Sequence, residues 1–322
     1  MKISIVTPVF NEEKSMASYC KAIFSLDYDI SDFEVVIVDD GSGDSTVKLL
    51  KEFWKNSKIK LKIISLGKNS GRSIARLKGS KAAKYNDILF LDARCEIFPD
   101  ALKVIKKIDY SPINPLVLQK KNNIFDLFFY ILRRAFYKKN FGENFAQQYI
   151  NEKNFDTMAK GTTMFFCDKK LFLESQPQNI NSKNNSDDTA LLANIVRKKP
   201  ILATPLVRCY YNTRGSFIQN IRHIFNRGPK FIDYYYRPSK KHFWLINLVF
   251  ILILLVIYRI SSREISVSDI LSGLVFMDVS LALYVARGLK DFFIFLFFFP
   301  VFLSVFMLGI IKGVFLKLFN KL

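Results

Sequence analysis

Along the first hundred residues, short apolar runs alternate with longer stretches of mixed character. ISIVTPVF, FEVVIVDD, LKIISLG and DILFLDA have the length and β-branched content of buried strands. Between them, residues 13–26, 45–55 and 72–84 place apolar side chains at helical spacing. Strands alternating with helices of this length predict right-handed βαβ units and a mainly parallel sheet. In such a sheet, ligands bind beyond the carboxyl ends of the strands. The polar clusters fall there, at residues 7–12, 39–44, 67–72 and 92–96. Four strand ends converging on one crevice outweigh any single motif.

The pattern loosens after residue 118. Residues 124–139, IFDLFFYILRRAFYKK, are apolar nearly all round and close on a basic end. That suits either a helix lying in a membrane interface or a core helix of the second half-domain. NINSKNNSDD is a polar loop, and Asp187 or Asp188 can open the short helix that follows. From residue 241 the chain turns strongly apolar. Residues 243–260 and 292–311 are each about long enough to cross a bilayer, the second with Pro300 as a kink. Residues 267–286 are apolar enough to insert but carry Asp278, so they predict a span shielded by its neighbours or a re-entrant hairpin. The expected division is 1–118, a nucleotide-binding half; 119–240, an acceptor-binding half; and 241–322, a membrane region of two or three helices.

Charge sharpens this picture. The 322 residues include 48 Lys+Arg and 28 Asp+Glu, a formal net charge of +20. Residues 197–241 hold eleven of those bases against one acid, Asp233, immediately before the first apolar segment. This is the positive-inside pattern, and it places residues 1–240 in the cytoplasm, at the inner membrane. The N-terminus, with Pro8 and two Glu close behind a short apolar run, is not patterned as a signal peptide. Base concentrated beside a span argues for a lipid surface rather than nucleic acid. The four cysteines lack metal-ligand spacing and are expected as free thiols.

The motif VVIVDDGSGDST ends a strand in two acids and a glycine-rich turn. Such a turn brings backbone N–H groups and a carboxylate against a nucleotide. It has neither the GxGxxG nor the GxxxxGK[ST] pattern, which argues against a dinucleotide cofactor and an ATPase loop. With VTPVFNEE, GKNSGRSIARLKGSKAA, ILFLDARCEI and NSDDTALLANIVRKK, it stands in an order and spacing that resemble the family-two GT-A glycosyltransferases. YYNTRGSFIQNIRHIFNRGPKFIDYY resembles the segment before the membrane part of bacterial exopolysaccharide transferases of the succinoglycan type. The resemblance covers about residues 1–240.

By that resemblance the fold is an α/β GT-A domain followed by transmembrane helices. Thr7, Pro8, Phe10 and Glu12 would line the nucleoside pocket, with Asp40 on the base and Gly71 beside the donor. Asp92 corresponds to the first Asp of the family's Asp-x-Asp motif, near ribose and diphosphate. Asp188 corresponds to the general base of a Glu-Asp-x-x-Leu motif in which Asp187 replaces the Glu. Gln219 and Arg222 resemble part of a Gln-x-x-Arg-Trp acceptor motif that here lacks its Trp.

The departure is Arg94, standing where the family's second Asp holds Mg²⁺ or Mn²⁺. A cation at a ligand position repels a metal ion. Arg94 would then either neutralise the leaving diphosphate itself, bidentately, or turn aside while Glu96 with Asp92 holds the metal, as dolichyl-phosphate mannose synthases place a contact at that offset. The implied reaction moves a sugar from a nucleotide-sugar donor to a lipid-linked saccharide with inversion, Asp188 taking the acceptor proton. A polyprenyl-phosphate acceptor, a processive synthase and a non-catalytic sugar-nucleotide-binding protein are the competing readings.

Overall fold

The computed structural model describes residues 1–120, 123–137, 145–178, 187–213 and 215–319. The chain divides into two compact units, one of residues 1–120, 136–183 and 187–213, the other of 121–135, 184–186 and 214–322. The helices after residue 214 thus group with the apolar C-terminal segments rather than with the sheet.

The first unit is built on one nine-stranded sheet. Its opening half follows the alternation in the sequence: β1 (Ile3–Val9), α1 (Glu13–Phe24), β2 (Phe33–Asp39), α2 (Thr46–Trp54), β3 (Lys60–Ser65), α3 (Arg72–Ala82) and β4 (Asp87–Leu91). β3, β2, β1 and β4 lie side by side and all parallel. Each helix buries one face. α1 covers the sheet with Met16, Tyr19, Cys20 and Ile23, and α2 with Thr46, Leu50 and Trp54, at three- and four-residue intervals. α3 has an unusual inner face of Ala75, Arg76, Gly79 and Ser80. At Gly79 a Cβ would stand 2.4 Å from Val6 Cγ1 and 2.9 Å from Val38 Cγ2, so glycine is what lets this helix press against β1 and β2.

The second half brings antiparallel pairing that the sequence pattern did not predict. Here lie β5 (Cys95–Ile97), α4 (Ala101–Ile108), β6 (Ile113–Gln119), β7 (Gln148–Ile150), β8 (Met164–Asp168), α6 (Lys169–Glu174), α7 (Asp187–Lys198) and β9 (Ile201–Tyr211), with α5 (Ile124–Phe136) intervening. β8 runs antiparallel to β4 and β6, while β5 and β7 run antiparallel to β9. β6 and β9 are parallel, and pair Gln119 with Tyr211 at their ends. The four cysteines are all free and buried. Burial in apolar surroundings pushes the Cys20 thiol up to about 12 and also raises those of Cys95 and Cys167.

The second unit is helical: α5, α8 (Phe217–Phe225), α9 (Arg227–Tyr235), α10 (Lys241–Ser261), α11 (Val267–Val285) and α12 (Leu289–Leu318). Among the described residues, α10, α11 and α12 are long and apolar enough to cross a membrane. α11 is one continuous helix through Asp278, not a hairpin. Phe128 and Ile131 of α5 are fully buried in a cluster with Ile224, Phe295 and Phe302, so this segment packs inside the helical unit. Its basic end pairs Arg134 with Asp291 at 2.9 Å; Lys138 and Lys139 lie outside the described residues. α9 meets α12 backbone to backbone: a Cβ on Gly228 would stand 2.1 Å from the Gly309 carbonyl carbon. Small residues permit that approach where apolar burial against lipid supplies no driving force.

In the β4–β8 ladder Asp87 faces Asp168 directly. Burial first, and then the Asp168 charge, raises the Asp87 carboxyl above its usual range. A raised acid pKa means that the folded state loses stability as pH climbs through it. Asp87→Asn should therefore stabilise the protein near neutral pH, by less than ~1 kcal/mol for a like-charge cross-strand pair partly screened by solvent. The gain should vanish as pH falls below the folded pKa, which thermal melts across pH would read.

Candidate active site

The loops after β1, β2 and β3 are laced together by short polar side chains. Asn11, in left-handed conformation at φ 52°, accepts from Gly43 N through its side chain, while its own N–H donates to Ser42 Oγ. Glu12 N–H donates to Thr46 Oγ1, and Glu13 N–H to Asp44 Oδ2. Asp39 accepts from Ser42 N and anchors the turn. Asp40 spans to the next loop, accepting from Ser70 N at 2.6 Å and Gly71 N at 2.8 Å. Each carboxylate thus holds backbone donors in place, which is how a strand-end crevice keeps its shape without ligand.

Beyond β4, a fully sunk guanidinium joins two carboxylates. Arg76 is 2% exposed; its Nη2 donates to Asp92 Oδ1 at 2.7 Å and its Nη1 to Asp188 Oδ1 at 2.8 Å. Arg72, one helical turn earlier, meets the other Asp188 oxygen at 2.5 Å. Asp92 and Asp188, ninety-six residues apart in sequence, are therefore brought to one place by α3. Arg76 and Asp188 also line a small cleft with Ser73, Phe172, Gln176 and Leu191. Arg72 and Arg76 were not singled out from sequence. The signal was available: an Arg among Ala75, Gly79 and Ser80 on the inward face of a helix needs a buried anion.

The two residues that carried the metal question have other partners. Arg94 donates through its Nε to both Glu12 oxygens, at 2.8 and 3.0 Å. Burial opposes the charged guanidinium, but Glu12 outweighs it and raises the Arg94 pKa. Glu96 accepts from Lys120 Nζ with both oxygens at 2.7 Å and from Asn212 Nδ2 at 2.7 Å. Burial would raise its pKa, yet the Lys120 and Asn212 bonds hold it below the usual range. Lys120 follows β6 and Asn212 follows β9, so Glu96 ties together the ends of two neighbouring strands.

The donor set does not fit a preformed divalent-metal site. Among the described residues, no group of three or more His, Cys, Asp or Glu side chains could hold a metal ion. Asp92 is paired with Arg76, Glu96 with Lys120, and Glu12 with Arg94. Of the other expected residues, Thr7 does not line a pocket with its side chain. It is 0% exposed, and its hydroxyl hydrogen-bonds the Tyr19 hydroxyl under α1. Phe10 is exposed at the crevice loop. Asp187 opens α7, while Gln219 and Arg222 lie on α8 in the helical unit.

A model of glycosyl transferase family 2 matches residues 4–172, just over half the chain. The chain belongs to that family. Over 99 residues it is 33% identical to the poly-beta-1,6-N-acetyl-D-glucosamine synthase of Staphylococcus epidermidis, covering 31% of this chain and 23% of that protein. Over 101 residues it is 30% identical to the undecaprenyl-phosphate 4-deoxy-4-formamido-L-arabinose transferase of Aeromonas hydrophila, 31% of each. The chain spans less than half the length of such relatives. Among solved structures, mannosyltransferase PcManGT of Pyrobaculum calidifontis, in complex with GDP-Man and Mn²⁺, aligns with a TM-score of 0.63 at 15% identity, covering 97% of this chain and 87% of that one. At that identity the likeness is one of fold, the GT-A fold.

Glu96 in an ion pair makes a stability prediction. A depressed folded pKa contributes stability above the unfolded value that is lost as pH falls through the folded one. Glu96→Ala should thus destabilise the protein at neutral pH by roughly 1–2 kcal/mol for lost charged hydrogen bonds, read as a lower melting temperature, with the difference shrinking in acid. Its response to added Mn²⁺ should match wild type. A variant that melts normally but loses a Mn²⁺ requirement would restore Glu96 as a ligand.

Proposed function

We propose that the protein is an inverting glycosyltransferase that moves a sugar from a nucleotide-sugar donor to a hydroxyl of a lipid-linked saccharide. Its catalytic unit would stand at the cytoplasmic face of the plasma membrane. The observation that carries this reading is the pairing of Asp92 and Asp188 across Arg76 at the carboxyl ends of the strands. A donor-side carboxylate and a base candidate are held as neighbours, beside the loops shaped by Asp39 and Asp40. Three apolar helices and the basic run of residues 197–241 support a membrane acceptor.

In this mechanism Asp40 and the loop after β2 position the nucleoside, and Asp92 orients the ribose and diphosphate. Asp188 accepts the proton of the acceptor hydroxyl as its oxygen attacks the anomeric carbon from the face opposite the leaving group. The new C–O bond forms as the bond to the diphosphate breaks, and the nucleoside diphosphate departs with the electron pair. Its charge needs fixed cations aimed at it. Arg94 suits that role: Glu12 takes its Nε, and no hydrogen bond of its Nη atoms is made among the described residues. A second reading, with the lipid phosphate as acceptor, is favoured by the polyprenyl-phosphate relative. That acceptor arrives ionised and needs no base.

Two measurements test the proposal. A panel of UDP-, GDP- and dTDP-sugars, assayed with membrane lipid extract, identifies the donor. On that donor Asp188→Asn should lose at least ~100-fold in turnover while still binding it; near-normal turnover would favour the lipid-phosphate acceptor. For the leaving group, activity should persist in EDTA, and Arg94→Ala should lose about 10²–10³-fold in kcat, the effect of removing one preorganised donor. Abolition by EDTA with restoration by Mn²⁺ would assign the charge to a metal ion instead.

A further inference from the structure

We propose that Arg72 and Arg76 form a positioning clamp for the base, fixing the Asp188 carboxylate in place and in its ionised form. The inference rests on the reading of Asp188 as the base. Arg72 and Arg76 are four residues apart and so project from one face of α3. Each takes a different oxygen of Asp188, Arg72 at Oδ2 and Arg76 at Oδ1. A carboxylate held through both oxygens by separate guanidiniums has little freedom to rotate.

Among the described residues that line the cleft, the remaining side chains carry no other charge. From α6, Phe172 and the following Gln176 face the cleft without charge, while Glu174 pairs with Lys198 at the far end of α7. On the sheet side, Asp92 is the nearest acid, and Arg76 stands between it and Asp188. Without that guanidinium, the two carboxylates would face each other with no cation between them, which disfavours the charged form. A base that is already protonated cannot act.

Arg76 itself is committed to the task. It is 2% exposed, and its Nε has no hydrogen-bond partner among the described residues. Gly79, one turn on, permits the depth by letting α3 lie against Val6 and Val38. Arg72 is about half exposed, which makes it the safer residue to change.

The test is the pH dependence of kcat in the full-length protein, with UDP-GlcNAc as donor, or GDP-mannose if wild type turns over that one. Arg72→Gln should fold normally, keep its donor KM, and move the acidic limb of the kcat profile upward by about one pH unit or more, as expected on removing a neighbouring cation. Arg76→Gln should lose at least tenfold in kcat at neutral pH and also raise donor KM through Asp92; Arg76→Lys should recover part of the kcat. If Arg76 variants fail to fold, Arg72→Gln decides alone. An acidic limb that stays at the wild-type position in Arg72→Gln would overturn the clamp. Asp188→Asn separates the two ideas: if it remains active, the base assignment has failed, and the clamp with it. If it is inactive and the limb still does not move in Arg72→Gln, the base stands and only the clamp is wrong.

Discussion

One buried cation between two carboxylates is the constraint around which the catalytic unit is arranged. Arg76 reaches Asp92 from the end of β4 and Asp188 from the start of α7, and so joins the parallel half of the sheet to a helix of the irregular half. Removing one partner of such a network leaves an uncompensated charge in a low-dielectric place, which typically destabilises by about 3–5 kcal/mol. Among the described residues, Arg72 and Arg76 stand against Asp92 and Asp188. Depth is secured locally by a glycine, and the ion pairs tie the first turn of α7 to α3. Shape and charge at the crevice are thus one problem with one solution.

Much of this was legible in the chain, and the reasons divide by element. β1, β2, β3 and β4 are runs of five to seven residues separated by helices of nine to twelve, a pattern that periodicity reads well. β5 and β7 have three residues each, too few for any alternation to register. β8 is apolar up to its closing Asp168, so its direction depends on tertiary partners rather than on its own sequence. The strand-end acids were visible because a carboxylate after a hydrophobic run has few structural excuses. Glu96 was ambiguous for the opposite reason. Its partners, Lys120 and Asn212, are brought to it only by the pairing of β6, β9 and β5.

The substitution of Arg94 for an acid also makes better sense with its surroundings known. Glu12, from the loop after β1, accepts through both oxygens from the Arg94 Nε. The sequence shows both residues but not that they meet, eighty-two positions apart. A guanidinium offers five donors in a fixed plane, so engaging one edge orients the rest.

The state of the sulfur atoms has a practical consequence. Cys20, Cys95, Cys167 and Cys209 are each at most 1% exposed and so out of reach of alkylating reagents, and in Cys20, Cys95 and Cys167 burial also disfavours the reactive thiolate form. The native protein therefore supplies its own silent background for site-directed labelling. A single cysteine introduced into the exposed turns flanking α10, at Ser239 or Ser262, would be the dominant target of a membrane-impermeant maleimide added to intact cells or to inverted vesicles. The sidedness of the apolar helices becomes measurable without first removing any natural residue from the core.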